Sequence, residues 1–117
     1  TPTCSEKHLP DYIKSIKLFE KNGFLNIYCL SVNDKHVMTA WLLSHTNSEK
    51  IIGIADGNSE ITKYFGFLTN KTKNFMGYRS SRFAMIINNN IIENIFVEKP
   101  GEYEVSSPKS ILKYINE

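Results

Sequence analysis

The sequence predicts an α/β fold with a mixed sheet. Strand-like runs alternate with helix-like runs along the first part of the chain, a hairpin pattern follows, and an amphipathic run closes the sequence. Strands that alternate with helices favour parallel pairing, and a tight hairpin is antiparallel, so one sheet holding both is mixed. The 117 residues, 41% hydrophobic and 22% charged, suit a single globular domain over 1–117.

Each element has its own signal. Ser5 to about Lys21 reads as a helix, with Ile13, Ile16, Leu18 and Phe19 near helical spacing and Gly23 as its stop. Pro10 lies inside that run and should kink it or end a first turn. Phe24 to Val32 reads as a strand. Asn33-Asp34 caps a second helix to about Ser44, with Val37, Met38, Trp41 and Leu42 on its apolar stripe. Ile51 to Ala55 has the composition of a buried strand. Asp56-Gly57-Asn58 is a turn leading to a short helix over Ser59 to Phe65. Arg82 to Ile87 and Ile91 to Val97 form a hairpin around Asn88-Asn89-Asn90. Ser107 caps a last helix, with Pro108 at its first position.

Composition removes several function classes. A net charge of +2 carries no nucleic-acid or membrane signal. No apolar run approaches the roughly 20 residues of a membrane helix. Two cysteines without Cys-x-x-Cys spacing make neither a disulfide framework nor a zinc site. The basic residues Lys71, Lys73, Arg79 and Arg82, with Phe75 and Tyr78 between them, are too few for a nucleic-acid footprint. His36 and His45 read as surface residues. Trp41, Phe65 and Phe67 read as core or subunit-contact residues.

The chemistry concentrates in Thr1-Pro2-Thr3-Cys4-Ser5-Glu6-Lys7-His8-Leu9-Pro10. Cys4 stands at the start of a helix-like run. First-turn amides there are unpartnered and carry partial positive charge, which stabilises a thiolate and lowers its pKa. Thr1 offers a hydroxyl to that sulfur or to a substrate oxygen.

These residues resemble the end of the Pro-x-x-x-Thr-x-x-Cys motif of peroxiredoxins, and the run to Pro10 is similar to the type-II, atypical two-cysteine subfamily. Ile27-Tyr28-Cys29-Leu30-Ser31-Val32-Asn33-Asp34, Ile54-Ala55-Asp56-Gly57-Asn58, Gly77-Tyr78-Arg79-Ser80-Ser81-Arg82-Phe83-Ala84-Met85 and Glu104-Val105-Ser106-Ser107 agree with it in the same order. The resemblance covers the whole chain and implies a thioredoxin-like fold of the peroxiredoxin variant, a mixed central sheet flanked by helices. The family's motif proline and its first strands would stand upstream of Thr1. The expectation is therefore a chain without its N-terminal strands, with an unpaired sheet side that is an aggregation liability.

The resemblance assigns roles. Cys4 is the peroxidatic nucleophile, with Thr1 and Arg82 meeting the charge that builds on the leaving oxygen. Arginine suits this because it stays charged and presents its donors as a rigid fork. Strand alternation sends Arg79 to the opposite face, toward solvent. His8 shares a helix face with Cys4 and either supports the site, by orienting Arg82 or handling protons, or is an ordinary polar helix residue. Cys29 is the resolving cysteine in some members, but mid-strand thiols are usually inert and a disulfide needs close Cα atoms. Other relatives carry a resolving cysteine near the C-terminus, where this chain reads Glu104-Val105-Ser106-Ser107. The expectation is resolution by an external thiol.

The implied function is thiol-dependent reduction of hydrogen peroxide or alkyl hydroperoxides through a Cys4 sulfenic acid, recycled by glutathione and glutaredoxin or by thioredoxin. The resemblance implies no metal or organic cofactor, and it implies a homodimer without nucleic-acid or membrane partners. The compartment is cytoplasmic, or organellar should a targeting peptide precede Thr1. A non-catalytic peroxide sensor or redox relay using the same Cys4 is the alternative, and an inert truncated chain a further one.

Overall fold

All residues 1–117 are described by a computed structural model. The chain divides into two compact units, one spanning Ile16–Ser80 and the other combining Thr1–Ser15 with Ser81–Glu117. The expected helix over Ser5–Lys21 is three consecutive pieces. A π-helical turn, Cys4–His8, is followed by α1 (Leu9–Lys14) and, after a break at Ser15, by α2 (Ile16–Lys21). The π turn ends at His8, just before Leu9-Pro10, and the proline's ring and missing N–H disrupt the ordinary i→i−4 ladder.

In the Ile16–Ser80 unit, α2 ends as its glycine predicts. Gly23 takes φ +91°, its amide donates to the Glu20 carbonyl, and the Phe24 amide reaches back to the Phe19 carbonyl. The Phe19 and Phe24 rings meet edge to face at 5.6 Å, the apolar contact that accompanies this type of helix end. β1 (Ile27–Ser31) and β2 (Ile51–Ala55) pair in parallel, with Cys29 opposite Gly53. Between them runs α3 (Lys35–Leu43), capped by Asp34, whose side chain accepts from the His36 and Val37 amides. Gly53 lets α3 come close: a Cβ there would lie 3.0 Å from Leu42 Cδ1. Phe19, Met38 and Ile51 form the buried apolar centre of this unit.

The expected buried strand at Ile51–Ala55 needs correction. Only Ile51 is buried, and Ile52 is 41% exposed. α4 (Glu60–Tyr64) is held by a residue outside it. The buried Asp56 carboxylate accepts from the Ile61 amide, the Thr62 amide and the Thr62 hydroxyl. Two three-residue strands, β3 (Leu68–Asn70) and β4 (Tyr78–Ser80), pair antiparallel around a short 3₁₀ turn at Thr72–Asn74, and no periodicity announced them.

In the other unit, β5 (Phe83–Asn88) and β6 (Ile91–Val97) form the expected hairpin. Asn89 and Asn90 take φ +50° and +65° at its tip, the left-handed pair that asparagine tolerates and a two-residue turn requires. A register shift falls between Ile86 and Ile87. α5 (Pro108–Ile115) starts with Pro108 at its first turn, and the Ser107 hydroxyl accepts from the Ser110 amide. Leu9, Ile86 and Ile111 are the buried apolar residues here. Parallel and antiparallel pairing are both present, distributed over three two-stranded ladders.

Candidate active site

Thr1, Cys4, His8 and Arg82 belong to one unit, and the fold brings them together. Thr1 acts as the helix cap. Its hydroxyl oxygen lies 3.4 Å from the Cys4 amide that donates to it, Pro2 follows at the first helical position, and the Ser5 amide donates to the Thr1 carbonyl. The same hydroxyl donates to Cys4 Sγ at 3.1 Å. One threonine thus orders the first turn and solvates the sulfur. The following π turn closes with the Leu9 amide on the Cys4 carbonyl. Single π turns of this kind recur at functional sites.

Arg82 lies just outside β5, and its guanidinium reaches back to the helix. Nη2 lies 3.5 Å from Cys4 Sγ, and Nη1 donates to the Glu102 carbonyl at 2.7 Å. Its Nε is buried without an acceptor. Burial pushes the half-buried Cys4 thiol up. The Thr1 hydrogen bond, the Arg82 hydrogen bond, the Arg82 charge and the N-terminal charge together outweigh that push and hold it below the usual thiol value. The result is a sulfur poised to ionise, facing donors that suit a developing oxyanion.

His8 sits among aromatic rings. Its ring packs against Tyr12 at 5.4 Å and Tyr103 at 5.1 Å between centroids. Burial, followed by the Arg82 charge, pushes its pKa down to about 4, and Glu98, a backbone bond to Ser106 and Asp11 pull back only partly. It is a neutral ring in the wall of the site at pH 7.

Arg79 is corrected. It is half-buried, with Nε on the Met76 carbonyl and Nη1 on the Val32 carbonyl and Asn33 Oδ1. It ties loops within the Ile16–Ser80 unit. His45 is also not a plain surface residue: its Nδ1 lies 3.0 Å from the Trp41 carbonyl and its ring meets Trp41 edge to face. Cys29 lies half-buried in the middle of β1, in the other unit from Cys4, and both cysteines are thiols. Phe65 stacks on Phe67 at 5.9 Å.

Sequence reasoning missed the groups behind the site. Glu98 is 7% exposed, and its Oε2 accepts from the Glu104 amide at 2.6 Å, the Ser106 amide at 2.9 Å and the Ser106 hydroxyl at 2.7 Å. Tyr12 donates to the Ser106 carbonyl, and Tyr103 donates to Asp11 Oδ2, both at 2.6 Å. Burial raises both tyrosine pKa values, so both hydroxyls keep the protons that make these bonds. A glutamate before Lys99-Pro100-Gly101 carries no local sign of burial, so only the tertiary structure exposes its role.

The chain is similar to known proteins along nearly its whole length. Residues 1–112 match the family described as Redoxin. The chain is 42% identical over 118 residues to the hybrid peroxiredoxin hyPrx5 of Haemophilus influenzae, covering 98% of this chain and 48% of that protein. It is 37% identical over 113 residues to peroxiredoxin-2D of Arabidopsis thaliana, covering 97% of this chain and 70% of that protein. The structure of reduced Prx3 from Vibrio vulnificus in complex with hydrogen peroxide superposes with a TM-score of 0.94 at 40% identity, over 99% of this chain and 71% of that one. The chain thus spans about half the length of the Haemophilus relative and about two-thirds to three-quarters of the others.

Proposed function

Because the chain belongs to the redoxin family, among the peroxiredoxins, we propose that it reduces hydrogen peroxide and alkyl hydroperoxides with Cys4 as nucleophile. The single observation that carries this is the convergence of the Thr1 hydroxyl and the Arg82 guanidinium on Cys4 Sγ. The peroxide bound in the Vibrio relative supports the choice of substrate.

The Cys4 thiolate attacks the terminal oxygen of the peroxide. A sulfur–oxygen bond forms while the O–O bond breaks, so sulfur is oxidised to a sulfenic acid. The departing alkoxide or hydroxide takes the O–O electron pair and then a proton, leaving as alcohol or water. Arg82 and Thr1 meet the charge that grows on the oxygens, an effect typically worth about 10²–10³ in rate per donor. A thiol then attacks the sulfenic sulfur, releasing water and forming a mixed disulfide. A second thiol breaks that disulfide and restores Cys4.

We assign resolution to an external thiol, glutathione with glutaredoxin or thioredoxin. Cys29 sits inside the β1–β2 ladder, where a resolving role would require it to leave its pairing with Gly53. A homodimer, cytoplasmic residence and a single domain belong to the same proposal, the last supported by a family match that runs through both units.

The test is Cys4→Ser, which removes the ionisable sulfur and keeps the shape. We expect peroxide consumption with glutathione and glutaredoxin to vanish while circular dichroism is unchanged. An unaltered rate overturns the assignment. Wild-type consumption that stops at one equivalent of peroxide despite excess thiol overturns turnover in favour of a sensor.

A further inference from the structure

Glu98 stands at the crossing of four contacts around the site, and none of them touches Cys4 directly. Its backbone amide donates to the Arg82 carbonyl at 2.9 Å, so it lies beside the residue that carries the guanidinium. Its carboxylate gathers the Glu104 and Ser106 amides and the Ser106 hydroxyl onto one oxygen. That folds the 99–107 segment between β6 and α5 back on itself. From the folded segment, the Glu102 carbonyl holds Arg82 Nη1, and Tyr103 holds Asp11 on α1. The Ser106 carbonyl receives Tyr12, also on α1.

We propose, resting on the peroxidase reading above, that Glu98 is a positioning residue: its buried carboxylate shapes the 99–107 segment so that the Glu102 carbonyl aims Arg82 at Cys4. The chemistry favours a carboxylate at this point. Three donors converge on one of its oxygens, and a carboxylate meets them with a full negative charge. Charge-assisted bonds are shorter and stronger than neutral ones, which suits a loop of ten residues or so that has no ladder of its own. Glutamine keeps the shape and an acceptor oxygen but loses the charge that strengthens all three bonds.

The sign of one measurement separates this role from two others. Deleting a negative charge near a thiol lowers the thiol pKa by itself. Losing the aim of Arg82 raises it, because both a hydrogen bond and a positive charge leave the sulfur. A merely structural role lowers stability and leaves the Cys4 titration in place. Glu98 does not figure among the groups acting directly on Cys4, whereas Arg82 acts on it twice, so the loss of aim outweighs the loss of charge.

The experiment is the pH dependence of Cys4 alkylation by iodoacetamide, followed on the Cys4-containing peptide by mass spectrometry, in wild type, Glu98→Gln, Glu98→Asp and Ile111→Val. We expect Glu98→Gln to move the Cys4 midpoint up by about one unit and to slow the bimolecular reaction with hydrogen peroxide about tenfold or more. Glu98→Asp should recover part of both. Ile111→Val, a core truncation away from the site, should lower the melting temperature without moving the midpoint. A midpoint that stays put or falls in Glu98→Gln overturns the proposal. If Glu98→Gln does not fold, Ser106→Ala removes one donor and keeps the charge, and an unshifted midpoint there overturns it equally. Alkylation needs no turnover, so an upward shift in a protein that proves to be no peroxidase would sink the function and leave the positioning role standing.

Discussion

Cys4, Thr1 and Arg82 show how much a few atoms decide. The sulfur is half-buried, which alone would make it a poorer thiolate, and the Thr1 and Arg82 donors, with the charges of Arg82 and the N-terminus, reverse that sign. Arg82→Ala should therefore raise the Cys4 pKa and slow peroxide reduction by about 10²-fold, the usual loss for one oxyanion donor. Arg79→Ala should leave that pKa alone and lower the melting temperature, because its bonds go to Met76, Val32 and Asn33. Alkylation profiles of the two variants check this, and a larger midpoint shift in the Arg79 variant would show the wrong arginine had been chosen. Thr1 and Cys4 were legible because they stand three residues apart, whereas Arg82, distant in sequence, was reached through the family resemblance. Arg79 was not legible, because the alternation rule assumes one continuous strand. The chain leaves β4 at Ser80 and enters β5 only at Phe83, so residues 79 and 82 share no pleat. Glu98 was illegible for a different reason: its three donors are spread over a loop that folds onto it only in three dimensions.

Elements here are held at their ends more than by their length. α4 has five residues, far short of what sustains an isolated helix. Asp56 supplies the missing stability from outside, with three bonds on a buried carboxylate. Ser107 does a lighter version of the same for α5, with one amide at 3.2 Å. We expect Asp56→Ala to cost about 2 kcal/mol or more, since it strands buried amides, and Ser107→Ala about 1 kcal/mol. Thermal melts of both variants check the order, and equal losses would refute it. The caps at Asp34 and Ser107, the glycine after α2 and the asparagine tip were readable because each is a residue type that the local backbone demands. β3 and β4 were not, because three residues are too few to display a period. Ile51–Ala55 has the composition of a buried strand, yet composition says nothing of which neighbours cover it.

At the scale of the molecule, the site's wall sets the response of stability to pH. His8 has a folded pKa of about 4 against an ordinary 6.5. The unfolded chain therefore binds its proton more readily, and the associated stability is complete above pH 6.5 and drains as pH falls from there toward 4. The amount is on the order of 3 kcal/mol. Glu98 and Asp56, both held below their ordinary values, add further losses only lower on the scale, as pH falls through their own folded pKa values. Melting temperature should thus decline between pH 7 and 5, before the carboxylates titrate. His8→Gln should flatten that slope; a slope unchanged in the variant would place its cause elsewhere. The separation of 3.5 Å between Arg82 and the Cys4 sulfur has one more consequence. Mobile ions screen charges over roughly 8–10 Å at ordinary ionic strength, and a pair this close and partly desolvated lies well inside that distance. The part of the Cys4 activation that comes from Arg82 is therefore a short-range property, and added salt should change it little.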